Sequence, residues 1–211
     1  MAPGIPSDVA DPRREPVWAV VLAAGSSRRM GTPKALLPWG ACSLLEAHLQ
    51  SLAAAGFLPV AVVSQPEGPV ATIAGANAAR VVVTGGRTPT PFASLALTLR
   101  SLQTPEGVLV TPVDLPPAPL AVLDALREPR DQVPTDPSGR EGHPVRIGPS
   151  TCGWIRSADE PDEGLRTVLR DAQRTAVPAP LAVDFDTREA WRAAGPSRHL
   201  GLGTDPCEES G

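Results

Sequence analysis

Four short apolar runs limit what this chain can fold into: Val17 to Leu22, Pro59 to Val63, Arg80 to Thr84 and Gly107 to Thr111 read as strands with little polar alternation. A strand with one wet face alternates. One without alternation is buried on both faces, which suits a parallel sheet covered by helices on each side. The segments between these runs have helical period. Ser43-Leu44-Leu45-Glu46 has the form of a capping box, and Gly56 stands where a left-handed residue ends a helix. A helix is therefore predicted from Leu44 to Ala55, with Leu45, Leu49 and Leu52 on one face. Thr90-Pro91 supplies a cap and a first-turn proline for a second helix, in which Leu95, Leu99 and Leu102 recur at helical spacing. A third helix is expected after Pro119. A fourth is expected at Asp162-Glu163-Gly164-Leu165-Arg166, its acids in the first turn where the helix dipole favours them. The expected fold class is α/β, a Rossmann-like three-layer sandwich with a mostly parallel central sheet. Such sheets bind ligands beyond the carboxyl ends of their strands.

A length of 211 residues suits one domain, expected over 17–194, with flexible tails at 1–16 and 195–211 that carry no apolar period. The core must be aliphatic, because 42% of residues are hydrophobic but only four are Trp, three Phe and none Tyr. A net charge of −4 offers no general attraction for nucleic acid or an anionic membrane, so neither is expected as a partner. Cys42, Cys152 and Cys207 are far apart and form no C-x-x-C pair. Neither a disulfide framework nor a structural zinc site is expected, and a reducing cytoplasm fits. Residues 1–16 hold no apolar leader-like core, and Val17 to Ala24 is too short to span a bilayer, so a soluble, non-exported protein is expected.

The chemistry concentrates in Leu22 to Gly40, LAAGSSRRMGTPKALLPWG, directly after the first strand. Small residues at Ala23, Ala24, Gly25, Ser26 and Ser27 leave backbone N–H groups accessible to an anion. Arg28, Arg29 and Lys34 add three cations within seven residues, and Lys34 is the only lysine in the chain. This composition suits a polyphosphate. Known phosphate loops do not match: Gly25 and Gly31 have the wrong separation for a Walker A loop, and the dinucleotide pattern G-x-G-x-x-G is absent.

The same stretch closely resembles the signature of the molybdenum cofactor nucleotidyltransferases, which share a nucleotide-diphospho-sugar transferase type of fold. The matching residues are Leu22-Ala23-Ala24-Gly25, Ser27, Arg29-Met30-Gly31, Pro33-Lys34 and Leu36-Leu37. The resemblance implies that Leu22 to Gly31 bind the nucleotide and that Arg28 or Arg29, together with Lys34, neutralise its triphosphate. LAAG rather than LAGG goes with cytidylyl transfer in that family, so Ala24 points to CTP and to a molybdenum cofactor cytidylyltransferase. Pro112-Val113-Asp114-Leu115-Pro116 resembles the family's metal motif, making Asp114 the implied Mg²⁺ ligand. Ser94-Leu95 and Gly142-His143-Pro144-Val145 resemble its acceptor-side segments. Asp162-x-Gly164-x-Arg166 and Asp184-Phe185-Asp186-Thr187 resemble two further motifs, the second offering Asp184 or Asp186 as another metal carboxylate. The chain departs from the family at Arg188, which stands where proline is usual, and over Thr84 to Phe92, where Asn and Gly-Met are usual.

The implied reaction joins an acceptor phosphate oxygen to the α-phosphorus of CTP and expels pyrophosphate. An ionised acceptor phosphate needs no strong base, so positioning and charge neutralisation carry the catalysis. Lys34, Arg28 and Asp114 are the candidate catalytic residues, Ser94 and His143 the candidate acceptor contacts, and molybdopterin the implied acceptor, with a molybdenum enzyme as eventual client. Two alternatives stand: transfer to a sugar or polyol phosphate, and a non-catalytic module that binds or delivers a cofactor.

Overall fold

The structure is a computed structural model and describes residues 17–25, 31–85, 89–104, 106–181 and 191. Its elements run β1 (Trp18–Leu22), β2 (Pro38–Trp39), β3 (Cys42–Ser43), α1 (Leu44–Ala54), β4 (Leu58–Val63), α2 (Pro69–Ala76), β5 (Arg80–Val83) and α3 (Pro91–Ser101). They continue with β6 (Val108–Pro112), α4 (Leu120–Ala125), β7 (Gln132–Thr135), β8 (Val145–Ile147), α5 (Pro149–Ser157), α6 (Leu165–Val168) and β9 (Gln173–Ala176). Seven strands form the main sheet in the order β5-β4-β1-β6-β8-β7-β9, while β2 and β3 make a small hairpin.

The four strands read from apolar runs are β1, β4, β5 and β6, and all are parallel neighbours. Their lack of alternation has the expected cause. Ala19, Val21, Ala61, Val63 and Leu109 pack against Leu45 and Leu49 of α1, Ala74 of α2 and Leu123 of α4. On the opposite face, Val20, Val60, Val62 and Val110 pack against Leu95 and Leu99 of α3 and Ile155 of α5. The sheet is mostly parallel, with β8 antiparallel to both β6 and β7. Because β4 and β6 flank β1 on opposite sides, successive crossovers depart in opposite directions and open a crevice at the carboxyl end of β1.

Helix ends follow local chemistry. At α1 the Ser43 hydroxyl accepts from Glu46 N at 3.2 Å and Ser43 N donates to the Glu46 carboxylate at 3.4 Å, the reciprocal pair of a capping box. Gly56 closes the helix at φ +77°. At α3 the Thr90 hydroxyl accepts from Ala93 N at 3.1 Å, and Pro91 occupies the first turn. The fourth helix is a correction: α6 starts only at Leu165, behind Gly164 at φ +57°, and has no acid in its first turn. Asp162 and Glu163 belong to the turn before it.

The cysteine expectation is corrected too, since Cys42 is disulfide-bonded. Sequence spacing cannot report which distant thiols a fold brings together. Cys152 is free and buried, and burial pushes its thiol up to about 11. Among the described residues no helix is long and apolar enough to cross a membrane.

Candidate active site

The crevice at the end of β1 holds a cavity of about 240 Å³ lined by Leu22, Ala23, Ala24, Gly25, Lys34, Ala35, Pro89, Pro91, Ser94, Pro112, Val113 and Asp114. Sheet register assembles this set. Leu22 and Pro112 are paired across β1 and β6, so the small-residue loop and the Asp114 turn leave the sheet side by side. Val113 N donates to Leu22 O at 3.2 Å and Ala23 N to Val62 O at 2.9 Å, carrying the ladder one step past the strand ends. Gly25 lines the cleft, and among the described residues a Cβ added there would meet nothing within 4 Å.

Pro33 precedes a short 3₁₀ turn over Lys34–Leu36, whose middle residue Ala35 is 1% exposed and anchors the turn in the core. From this anchor Lys34 Nζ reaches Asp114 Oδ2 at 3.0 Å, an ion pair between residues 80 positions apart. Its partners are 13% and 31% exposed, so each charge keeps an open side toward the cleft. Ser94, near the start of α3, also lines the cleft and is buried.

The turn that carries Asp114 is held from below by α1. His48, 2% exposed, meets the carbonyl of Leu115 through Nε2 at 2.8 Å, which makes Nε2 the donor. Burial is the main reason its imidazole is pushed down to about 4, against smaller opposing effects of Leu115 and Asp114, so it is neutral near pH 7. One turn later the Ser51 hydroxyl donates to Ala118 O at 3.3 Å.

Of the residues singled out from sequence, the structure brings Leu22, Ala23, Ala24, Gly25, Lys34, Ser94 and Asp114 to one cleft. Gly31 is described, at φ +67°, but is not in its lining. His143 is half-buried in the β7–β8 connection and also lies outside that lining. Register puts it at the same end of the sheet, since Val110 and Val145 are paired and the chains run on to Pro112 and back to His143. Ser26, Ser27, Arg28, Arg29, Met30, Asp184 and Asp186 lie outside the described residues.

Sequence reasoning missed four contributors. Pro89 and Pro91 line the cleft with apolar surface, and of the two the sequence marks only Pro91, as a helix start beside Thr90. His48 interrupts the apolar face of α1, and a histidine buried in such a face needs a polar partner. Asp136 organises the β7–β8 connection: it accepts from Ser138 N at 2.8 Å, Ser138 Oγ at 2.6 Å, Arg140 N at 3.0 Å and Leu181 N at 3.2 Å. The Ser138 hydroxyl is the largest cause of its carboxyl being held down at about 2, the backbone donors adding to it.

Comparison with known proteins accords with this geometry. Rv0371c from Mycobacterium tuberculosis H37Rv is 26% identical, with a TM-score of 0.69 over 84% of this chain and 96% of that one. A manganese complex of that protein is also similar, at 24% identity and a TM-score of 0.64 over 85% and 97% of the two chains. The inositol-1-phosphate CTP transferase of T. maritima shares the fold at 14% identity and a TM-score of 0.65, covering 90% and 98% of the two chains. Molybdopterin-guanine dinucleotide biosynthesis protein A from Archaeoglobus fulgidus does so at 15% identity and 0.60, covering 87% and 100%. No curated protein matches the chain in sequence. The family model described as the MobA-like NTP transferase domain matches residues 19–177, which contain the whole cleft. The chain therefore belongs to the MobA-like NTP transferases, a nucleotidyltransferase family of Rossmann-like α/β fold.

Proposed function

We infer that this protein transfers CMP from CTP to the phosphate of a phosphorylated pterin, molybdopterin, with Mg²⁺ and with release of pyrophosphate. One observation carries the reading: the chain's single lysine and the carboxylate of Asp114 meet at 3.0 Å in a cleft that Leu22 to Gly25 also line. A cation, a hard oxygen ligand and small residues around one space suit a nucleoside triphosphate better than an uncharged substrate.

The residues fit Mg²⁺. Among the described residues no cluster of three or more ligating side chains exists, and Asp114 offers one partly exposed carboxylate. That suits an ion usually held by one or two carboxylates, waters and substrate phosphates, with Asp184 or Asp186 as a candidate second ligand. When bound, the ion would supply Lewis-acid polarisation of the phosphates. Asp114 would hold it. Lys34, released from Asp114, would turn its ammonium to the phosphate oxygens and follow the charge that builds on the departing pyrophosphate. The Ala23 to Gly25 backbone would approach the nucleotide closely, with Arg28 or Arg29 adding neutralising charge. Ser94 and His143 would serve the acceptor side, where Pro89 and Pro91 offer a flat apolar surface that suits a ring.

Support for CTP comes from Ala24 in the LAAG loop and from the CTP-using enzyme among the structural relatives. Support for the pterin comes from the GHPV segment and from the molybdopterin protein that shares the fold. The cytoplasm, where nucleoside triphosphates are made, is the proposed compartment, and a molybdenum enzyme is the proposed recipient of the product. Pyrophosphate release is measured with CTP, Mg²⁺ and molybdopterin, and activity is expected. Release only with another nucleotide or with a polyol phosphate would overturn the specificity and leave the class standing. Asp114→Ala is expected to lower turnover by about 10²-fold or more with the fold intact. Lys34→Arg keeps the charge but replaces a mobile ammonium by a rigid fork, and turnover is expected to fall about tenfold. A protein with no turnover on any nucleotide that still binds the acceptor would be a delivery module instead.

A further inference from the structure

The segment Asp114-Leu115-Pro116-Pro117-Ala118-Pro119 has an unusual problem of self-support. Three of its six residues are prolines and donate no backbone hydrogen bond, so half the groups that normally tie a loop to its neighbours are missing. The loop is anchored at its two ends, by Val113 N donating to Leu22 O at 3.2 Å and by Pro119 O accepting from Val122 N at 2.9 Å. Between those ends it is held through its carbonyls. His48 and Ser51 are three apart on α1 and therefore share a face, and their targets Leu115 O and Ala118 O are likewise three apart. The helix and the loop are in matched register.

We propose that His48 is a positioning residue for the transfer reaction, its Nε2–H fixing the Leu115 carbonyl and thereby aiming the adjacent Asp114 carboxylate into the cleft, with Ser51 as the second tether. The proposal rests on the nucleotidyltransferase reading of the cleft. The ring is buried and is not among the residues that line the cleft. Its effect passes through one peptide unit: Leu115 O belongs to the residue after Asp114, and a shift of that carbonyl rotates the backbone on which the Lys34 partner is mounted. A loss of the bond also strands a buried acceptor, which the loop must move to satisfy. Positional errors of this kind are expensive at a site whose catalysis depends on alignment.

The test uses the full chain and titrates CTP calorimetrically, once with Mg²⁺ and once with EDTA. The readout is the gain in affinity that the metal gives, which a residue that merely packs would leave alone. His48→Leu removes the donor at similar volume and is expected to cut that gain about tenfold, with affinity in EDTA within about twofold of wild type. His48→Gln places an amide N–H where Nε2 stood and is expected to recover most of it. Ser51→Ala, which removes the peripheral tether, is expected to cut the gain about two- to threefold and covers the case in which His48→Leu fails to fold. The proposal is overturned if a folded His48→Leu keeps the wild-type gain, if His48→Gln is no better than His48→Leu, or if Ser51→Ala alone folds and changes nothing. A wild-type protein whose binding of CTP, GTP and ATP gains nothing from the metal would overturn the reading of the site itself, and this proposal with it.

Discussion

Lys34 and Asp114 were read separately from sequence, one as a phosphate ligand and the other as a metal ligand; in the fold they neutralise each other at 3.0 Å. That pair lets two charges, 13% and 31% exposed, share one cleft, and under the proposed function a nucleotide and a cation are expected to load together, each relieving the other's partner. Two other described residues contribute to the acid sensitivity of the fold. His48 is held at about 4, below the 6.5 of a free imidazole, so on acidification the unfolded chain takes up this proton first. Its contribution is complete above pH 6.5 and is lost as pH falls to 4, about 3 kcal/mol in all. Asp136 is held at about 2, below 3.8, so its contribution is present above pH 3.8 and disappears as pH falls through 2. A urea midpoint followed from pH 7 to pH 2 should therefore drop in two stages. His48→Gln should flatten the first and leave the second, and a midpoint unchanged between pH 6.5 and pH 4.5 would contradict this account.

At the scale of elements, what was legible is what is local. A cap and its target lie three residues apart, so Ser43 with Glu46 and Thr90 with Ala93 could be read from the chain and are found as read. Thr90 has a second task that no local pattern shows: its hydroxyl donates to the Glu160 carboxylate at 2.8 Å and ties the start of α3 to the segment after α5. Thr90→Ala should cost about 1 kcal/mol from the lost cap, read as a lowered urea midpoint, while Thr90→Ser should keep most of it. The unread elements are those whose apolar signal is weak. In α5 a polar opening and Gly153 break the periodicity, α2 is eight residues with Gly75 inside, and β9 is an edge strand with no buried residue. Neighbours, not intrinsic preference, hold these segments in place.

Across the whole molecule, the antiparallel strand β8 is the joint that brings the Gly142 to Val145 segment to the end of the sheet where the cleft lies. It pairs with β6 through Val108 and Ile147, and at that corner Gly107 sits at φ +79° with no room for a side chain: a Cβ would stand 2.1 Å from Ile147 O. Gly107→Ala should destabilise by about 3 kcal/mol or more and lower the denaturation midpoint, because the opposing atom is backbone and cannot swing away. The same strand carries Arg146, whose buried guanidinium donates to the carbonyls of Glu106 and Glu128 and so clamps the connections on either side of β8. Burial pushes it down to about 10, still protonated at neutral pH.

The chain by itself determined the parallel half of the sheet and the caps of α1 and α3, and it marked Leu22 to Lys34 as the candidate seat of the chemistry. Each is written in short-range terms: apolar runs without alternation, a side chain three residues from its target, small residues beside cations. Only the tertiary structure decided that Lys34 would face Asp114, that His48 and Ser51 would carry the proline-rich loop, that β8 would run against its neighbours, and that Cys42 would be bridged. Those outcomes join residues tens of positions apart. Their physical cause is sheet register and helix packing, which fix distances that no spacing along the chain encodes.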